Sequence, residues 1–289
     1  MLFILYRIGK FLALHLPMKA GYWLAGLFSS LYYYFSKNDR YAVINNLKTL
    51  FPDYDYAALS GMAKEVFVNF GKYLMDFFRF SKIDKVYIDK YVKIEGLENL
   101  KNALKEKRGA IAVTAHLGSW ELGGAVISTL GFPFAAVVLN HKDKNVNYFF
   151  VRQRELKGIE VIPVGLSLRR CFSALASNHV LALVGDRDYF DNGIEMEFFG
   201  KKTLIPKGPA LFSRRCGSPI VPTFVIRNKD DTCTLRFYSP IKPLITDDRD
   251  HDLFITTKKI TQILQEAIKE YPTQWCVFRR FWERIGWGR

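Results

Sequence analysis

Residues 114–124 read TAHLGSWELGG, where His116, one of only five histidines in the chain, follows an apolar run and precedes Glu121 by five positions. A histidine oriented by a carboxylate suits a general base, because the carboxylate fixes the imidazole tautomer and stabilises the imidazolium formed on proton abstraction. With no nucleophile between the two, the group to be deprotonated is a substrate hydroxyl. In one continuous helix such residues would point roughly 140° apart, at ~100° per residue, and would not meet. A strand-turn-helix corner removes that obstacle. AIAVTA reads as a buried strand, His116 leaves its C-terminal tip, Gly118 permits a tight turn, and Ser119 caps a helix beginning near Trp120.

Other chemistries fit this stretch less well. Ser119 is a poor nucleophile candidate, since LGSWE lacks the second glycine of a nucleophile elbow. A metal site would need His116, Glu121, Asp186 and Asp188 to converge, and no metal is expected. A lone histidine near a sheet is also commonly a satisfied structural residue. His15, His141, His179 and His251 have no comparable setting and read as structural or surface groups.

Further candidates lie at the ends of other apolar runs. Asp186, Arg187 and Asp188 directly follow VLALVG, a strand-end placement that suits acceptor positioning or hydrogen bonding within the next loop. Arg152 and Arg154 either grip a phosphate bidentately or form a solvated helix face. In the loop GKKTLIPKGPA, Lys207 and Gly208 precede Pro209, which suits the first turn of a helix ending at Gly217. That helix N-terminus, beside Lys201, Lys202 and Lys207, forms either a phosphate seat or a merely basic surface. Pro219 and Pro222 read as an edge or bulge of their strand.

The elements that must position these groups alternate along the chain. From Gly109, short apolar runs (AIAVTA, FAAVVL, IEVIPV, VLALVG, PIVPTFVIR, TLRFY) are mostly separated by segments of helical length, such as 121–130, 145–157 and 168–177. Strands apolar on both faces predict an α/β fold with a central, mainly parallel mixed sheet flanked by helices. The front third is helical, with Phe67, Phe70, Tyr73, Leu74, Phe77 and Phe78 crowding one face. Residues 1–35 are apolar and aromatic but interrupted by Arg7, Lys10, Pro17 and Lys19, and the uncharged stretch 20–35 is short of the ~20 residues of a bilayer span. This predicts a membrane-associated helical segment, 1–35, lying in or dipping into the interface, or else a buried first hairpin, followed by one catalytic domain, 36–289.

The 42 Lys and Arg against 28 Asp and Glu leave a net charge of +14, which calls for an anionic partner. Composition leaves open a basic membrane- or nucleic-acid-binding module without catalysis, and the interleaved PTQWCVFRRFWERIGWGR tail is compatible with it, although no nucleic-acid motif is present. Four scattered cysteines without CxxC spacing suggest neither a zinc ribbon nor a disulfide framework.

HLGSWELG resembles the HxxxxD/E motif of glycerolipid and lysophospholipid acyltransferases, and in particular the bacterial lipid A biosynthesis (lauroyl/myristoyl) acyltransferases. GDRDYFDNGIEMEFFGKK, PKGPALFSRRCGSPIVP, NNLKTLFP and FVNFGKYLMDFFR extend the likeness over nearly the whole chain. The resemblance implies a glycerolipid acyltransferase-like fold and transfer of a fatty acyl group from acyl carrier protein or coenzyme A to a lipid hydroxyl, the chain lying in a groove lined by residues of the front third such as Phe67, Phe70 and Phe77. It places the reaction at the cytoplasmic face of the bacterial inner membrane, with His116 as base, Glu121 as its partner, and no cofactor. Arg152 and Arg154 fall where the family carries arginine. The tail departs from the lipid A type, having Val277 and Phe278 without the family's histidine. The acceptor is therefore open among a lipid A precursor, another glycolipid and a phospholipid.

Overall fold

The computed structural model describes residues 2–165 and 168–283, so the end of the basic aromatic tail, 284–289, lies outside the described residues. The chain opens with four helices, α1 (Leu2–His15), α2 (Met18–Phe35), α3 (Lys37–Leu50) and α4 (Tyr56–Phe78), then α5 (Lys85–Tyr91). Strand β1 (Val92–Glu95) and α6 (Leu97–Lys105) lead into the alternating part. That part runs β2 (Ala110–Thr114), α7 (Trp120–Thr129), β3 (Phe134–Val138), α8 (Lys144–Glu155), β4 (Ile159–Pro163), α9 (Leu168–Ala176) and β5 (Val180–Val184). The hairpin β6 (Ile194–Phe198) and β7 (Lys201–Ile205) is followed by α10 (Gly208–Cys216), β8 (Ile220–Arg227), β9 (Cys233–Phe237) and α11 (Arg249–Glu270), and short 3₁₀ turns cover Phe80–Lys82 and Pro272–Gln274.

Seven strands form one sheet in the order β1-β9-β8-β2-β5-β3-β4. All neighbours are parallel except β8 and β9, so β1 and β9 oppose the other five strands. The expected mainly parallel mixed sheet is thus present, with helices covering the apolar faces that its strands bury. All eight residues of β8 are buried.

Two sequence expectations change. Lys201–Ile205 is a strand rather than loop, paired with Ile194–Phe198. β8 is an interior strand, so Pro222 marks neither an edge nor a bulge; the β2–β8 ladder ends at Pro222, and pairing with β9 takes up from Thr223. A residue without an N–H is tolerated where one ladder gives way to the next. The α10 reading holds, with Pro209 in its first turn and Gly217 as its left-handed cap at φ 68°.

The first two helices pack on α4. Gly71 of α4 allows close approach, since a Cβ there would lie 2.1 Å from Ser29 Oγ of α2. Tyr22 and Tyr33 turn inward, whereas Ile4, Leu5, Ile8 and Phe11 of α1 and Trp23, Leu27, Phe28 and Phe35 of α2 are exposed. No helix among the described residues is long and apolar enough to cross a membrane.

Candidate active site

The register of the sheet builds the site. Thr114 of β2 lies opposite Val184 of β5, and the Gly185 N–H donates to the Thr114 carbonyl at 2.8 Å. Two residues beyond each matched end stand His116 and Asp186. They meet at the C-terminal edge of the parallel strands, where ligand sites of such sheets form.

Asp186 is fully buried and accepts three hydrogen bonds. The His116 ring donates from Nδ1 to Oδ1 at 2.9 Å, and the His116 backbone N–H and the Trp275 indole N–H donate to Oδ2 at 3.1 and 3.0 Å. Burial alone would raise this carboxyl, but His116 and the Trp275 N–H hold it below the ordinary carboxylate range. An ionised carboxylate only accepts, so Nδ1 carries the proton and a neutral His116 presents a lone pair on Nε2. Nε2 hydrogen-bonds to none of the described residues.

Glu121 takes a different partner from the one its spacing suggested. It lies in the first turn of α7, where both its oxygens receive hydrogen bonds from the Arg154 guanidinium of α8. Both side chains are largely buried. Burial opposes the Arg154 charge, but Glu121 more than offsets it and raises the guanidinium further. The strand-turn-helix corner forms as expected, except that the Ser119 side chain makes no capping hydrogen bond to α7. Gly118 adopts φ 62°, and any Cβ would fall 1.9 Å from the Val225 carbonyl.

His116 and Glu121 line one cavity of about 490 Å³ with mostly apolar walls. Trp120 stands edge-on to His116, with ring centroids 5.3 Å apart, and stacks on Tyr73 of α4 at 4.1 Å. Tyr6, Phe70, Leu74, Phe150, Leu168, Cys171, Leu183 and Phe212 continue the wall. Of the aromatic residues proposed for a chain groove, Phe70 lines this cavity, whereas Phe67 and Phe77 are fully packed inside the core.

The remaining candidates divide. Arg154, Arg187, Asp188, Lys207 and Gly208 line the cavity. Arg152 does not; it is exposed on α8 and pairs with Glu155 at 3.4 Å. Asp188 accepts from the backbone N–H groups of Asn192 and Gly193, and Arg187 lies over the Tyr189 ring at 4.9 Å. Lys201 and Lys202 are away from this cavity, the first donating to Thr49 and the second pairing with Glu195. Because Glu121 and Asp188 face other partners, no group of three or more His, Cys, Asp or Glu converges among the described residues. His141 sits at the cavity rim, against Phe150, where burial lowers its pKa and Arg154 lowers it further. Sequence reading missed Trp275 as the third anchor of Asp186; its signal was the QW pair before the tail.

The profile of bacterial lipid A biosynthesis acyltransferases matches residues 1–284. Among similar proteins, the phosphatidylinositol mannoside acyltransferase of Mycolicibacterium smegmatis is 26% identical over 74% of this chain and 70% of its own length. Its namesake in Mycobacterium tuberculosis strain H37Rv is 30% identical over 54% of this chain and 51% of its own. The lipid A biosynthesis palmitoleoyltransferase of Escherichia coli K12 is 26% identical over 82% of this chain and 76% of its own. With the profile spanning the fold and both strand ends that meet in the cavity, the chain belongs to the bacterial lipid A biosynthesis acyltransferase family.

Proposed function

We propose that this acyltransferase moves a fatty acyl group from a thioester of acyl carrier protein or coenzyme A to a hydroxyl of a glycolipid, with His116 as general base and Asp186 as the group that orients it. The observation that carries this reading is the His116–Asp186 pair at the strand ends, opening on an apolar cavity.

In this mechanism Nε2 of His116 takes the proton of the acceptor hydroxyl as its oxygen attacks the thioester carbonyl. The tetrahedral intermediate collapses with loss of the C–S bond, and the departing thiolate takes the proton from the imidazolium. The product is an ester and a free thiol, without an acyl-enzyme. Asp186 stabilises the imidazolium between the two proton transfers. Lys207 and the N-terminus of α10 line the same cavity and supply positive potential for the oxyanion. Glu121 and Arg154 form a neutral pair in the wall rather than a relay to His116.

Burying the acyl chain against the apolar walls stabilises the complex by about 0.8 kcal/mol per methylene. The similar proteins act, by their names, on phosphatidylinositol mannosides and on lipid A, which supports a sugar-bearing lipid as acceptor. The exposed apolar residues of α1 and α2, with the net charge of +14, support seating on an anionic membrane, at the cytoplasmic face of a bacterial inner membrane.

The test is incubation of the purified protein with labelled acyl thioesters of both carriers and a total lipid extract, followed by mass spectrometry of the lipids. A new acylated glycolipid is expected. Absence of any ester with either donor, together with salt-sensitive polyanion binding that persists in His116→Ala, would instead indicate a binding module.

A further inference from the structure

Outside the cavity, Asp76 near the end of α4 and Arg227 at the end of β8 form a buried ion pair, with 1% and 7% of their surfaces exposed. Neither lines the cavity. Asp76 uses both carboxylate oxygens. Oδ1 accepts the Tyr22 hydroxyl of α2 at 2.5 Å, while Oδ2 accepts the Ser119 hydroxyl at 2.7 Å and the Arg227 guanidinium. Arg227 also donates to Ser119 Oγ at 3.2 Å and lies over the Tyr22 ring at 4.6 Å.

Ser119 is the informative member of this group. It occupies the N-cap position of α7, yet its side chain makes no capping hydrogen bond, because the hydroxyl is turned toward α4. A serine there would ordinarily satisfy its own helix. This one ties the corner to another layer of the fold, three residues after His116 and two before Glu121. The backbone of the corner is held as well. The Ser119 N–H donates to Val225 O and the Gly118 N–H to Gln274 O, both at 2.9 Å, and the Cys276 N–H donates to His116 O at 2.8 Å. Gln274 in turn exchanges two hydrogen bonds of 2.9 Å with the backbone of Arg227. Arg227 therefore reaches the corner through its side chain and through Gln274.

We propose that Asp76, Arg227 and Ser119 are positioning residues for acyl transfer. They hold the His116 corner at a fixed angle to the cavity, and Tyr22 brings the apolar N-terminal hairpin into the same network. A buried ion pair is weak evidence for stability but sets geometry when its partners come from several elements. Here four do: α2, α4, β8 and the turn before α7. The inference rests on His116 acting as the base.

Ser119→Ala and Tyr22→Phe each remove one hydroxyl, and Asp76→Asn removes the charge; should Asp76→Asn not fold, the first two suffice. Turnover is measured per folded molecule, with His116→Ala as control. Ser119→Ala is expected to lower kcat tenfold or more with KM for the thioester within twofold of wild type, and Tyr22→Phe to lower it severalfold. Where Asp76→Asn folds, the Ser119→Ala/Asp76→Asn double variant loses less than the product of the two single losses. Wild-type kcat in Ser119→Ala and Tyr22→Phe, whatever their melting temperatures, would overturn the proposal while an inactive His116→Ala left the catalytic reading intact. An active His116→Ala would remove that reading itself.

Discussion

Replacing Asp186 with asparagine separates the two carboxylates that compete for the role of orienting His116. The hydrogen-bond geometry dictates what the substitution does. Two donors, the His116 backbone N–H and the Trp275 indole N–H, converge on one oxygen of Asp186. In Asp186→Asn they select the amide oxygen at that position and leave the NH2 facing His116 Nδ1. Nδ1 must then accept, which moves the imidazole proton to Nε2, the nitrogen that has to receive the substrate proton. The variant keeps its shape and holds the wrong tautomer. A loss of that kind costs about 10³–10⁴-fold in kcat, or about 4–5.5 kcal/mol of transition-state stabilisation. Thiol release from the acyl thioester, followed in the presence of acceptor, reads kcat and KM separately. KM is expected to change little, because Asp186 is buried behind His116 and does not line the cavity. Retention of kcat within tenfold in Asp186→Asn, alongside a collapse of kcat at unchanged stability in Glu121→Gln, would refute this assignment and restore Glu121 as the partner.

Glu121→Gln should act mainly on stability, since it leaves the Arg154 guanidinium unpaired in a largely buried setting. A loss of about 3–5 kcal/mol is expected in denaturant unfolding, with more residual kcat per folded molecule than in Asp186→Asn. Stability against pH should carry the mark of Asp186. Its folded carboxyl titrates below its unfolded value, so its contribution is present above about pH 4 and is lost as pH falls through the folded pKa. The stability gap between wild type and Asp186→Asn should accordingly narrow on acidification below about pH 4, and a constant gap would argue against the ionised pair. Gly118→Ala should abolish activity, because its Cβ meets the Val225 carbonyl and φ is positive; a fully active variant would show that the corner moves freely. Cys171→Leu, filling one side of the cavity, should shift preference toward shorter acyl chains in a competition between thioesters. Each methylene excluded is expected to weaken binding about fourfold, and unchanged preference would place the chain elsewhere.

The fold class was legible because strands apolar on both faces can only be buried on both faces, and the runs after Gly109 have that character. The corner was legible too, since a histidine at a strand tip followed by glycine and serine admits few conformations. What the sequence does not contain is strand order. Asp186 stands seventy residues after His116, and only the placement of β5 beside β2 brings the two strand ends into register. Glu121 was close in sequence and therefore the natural partner to name, but the first turn of α7 directs it to Arg154 on α8. Similar reasoning accounts for Arg152 and Arg154, two residues apart on one helix, of which one is at the surface and the other in the cavity wall. The network of Asp76 and Arg227 was invisible for the same cause, as its members are separated by 151 residues.

The most direct test of the central claim follows both the lipid product and the protein mass, for wild type and His116→Ala, in a single turnover with a labelled acyl thioester and a glycolipid acceptor. Ester formation by wild type without any acyl-protein adduct, and loss of ester by about 10³-fold or more in His116→Ala, is the expected result. Ester formation by His116→Ala within tenfold of wild type, or an acyl adduct on the wild-type chain, would contradict it.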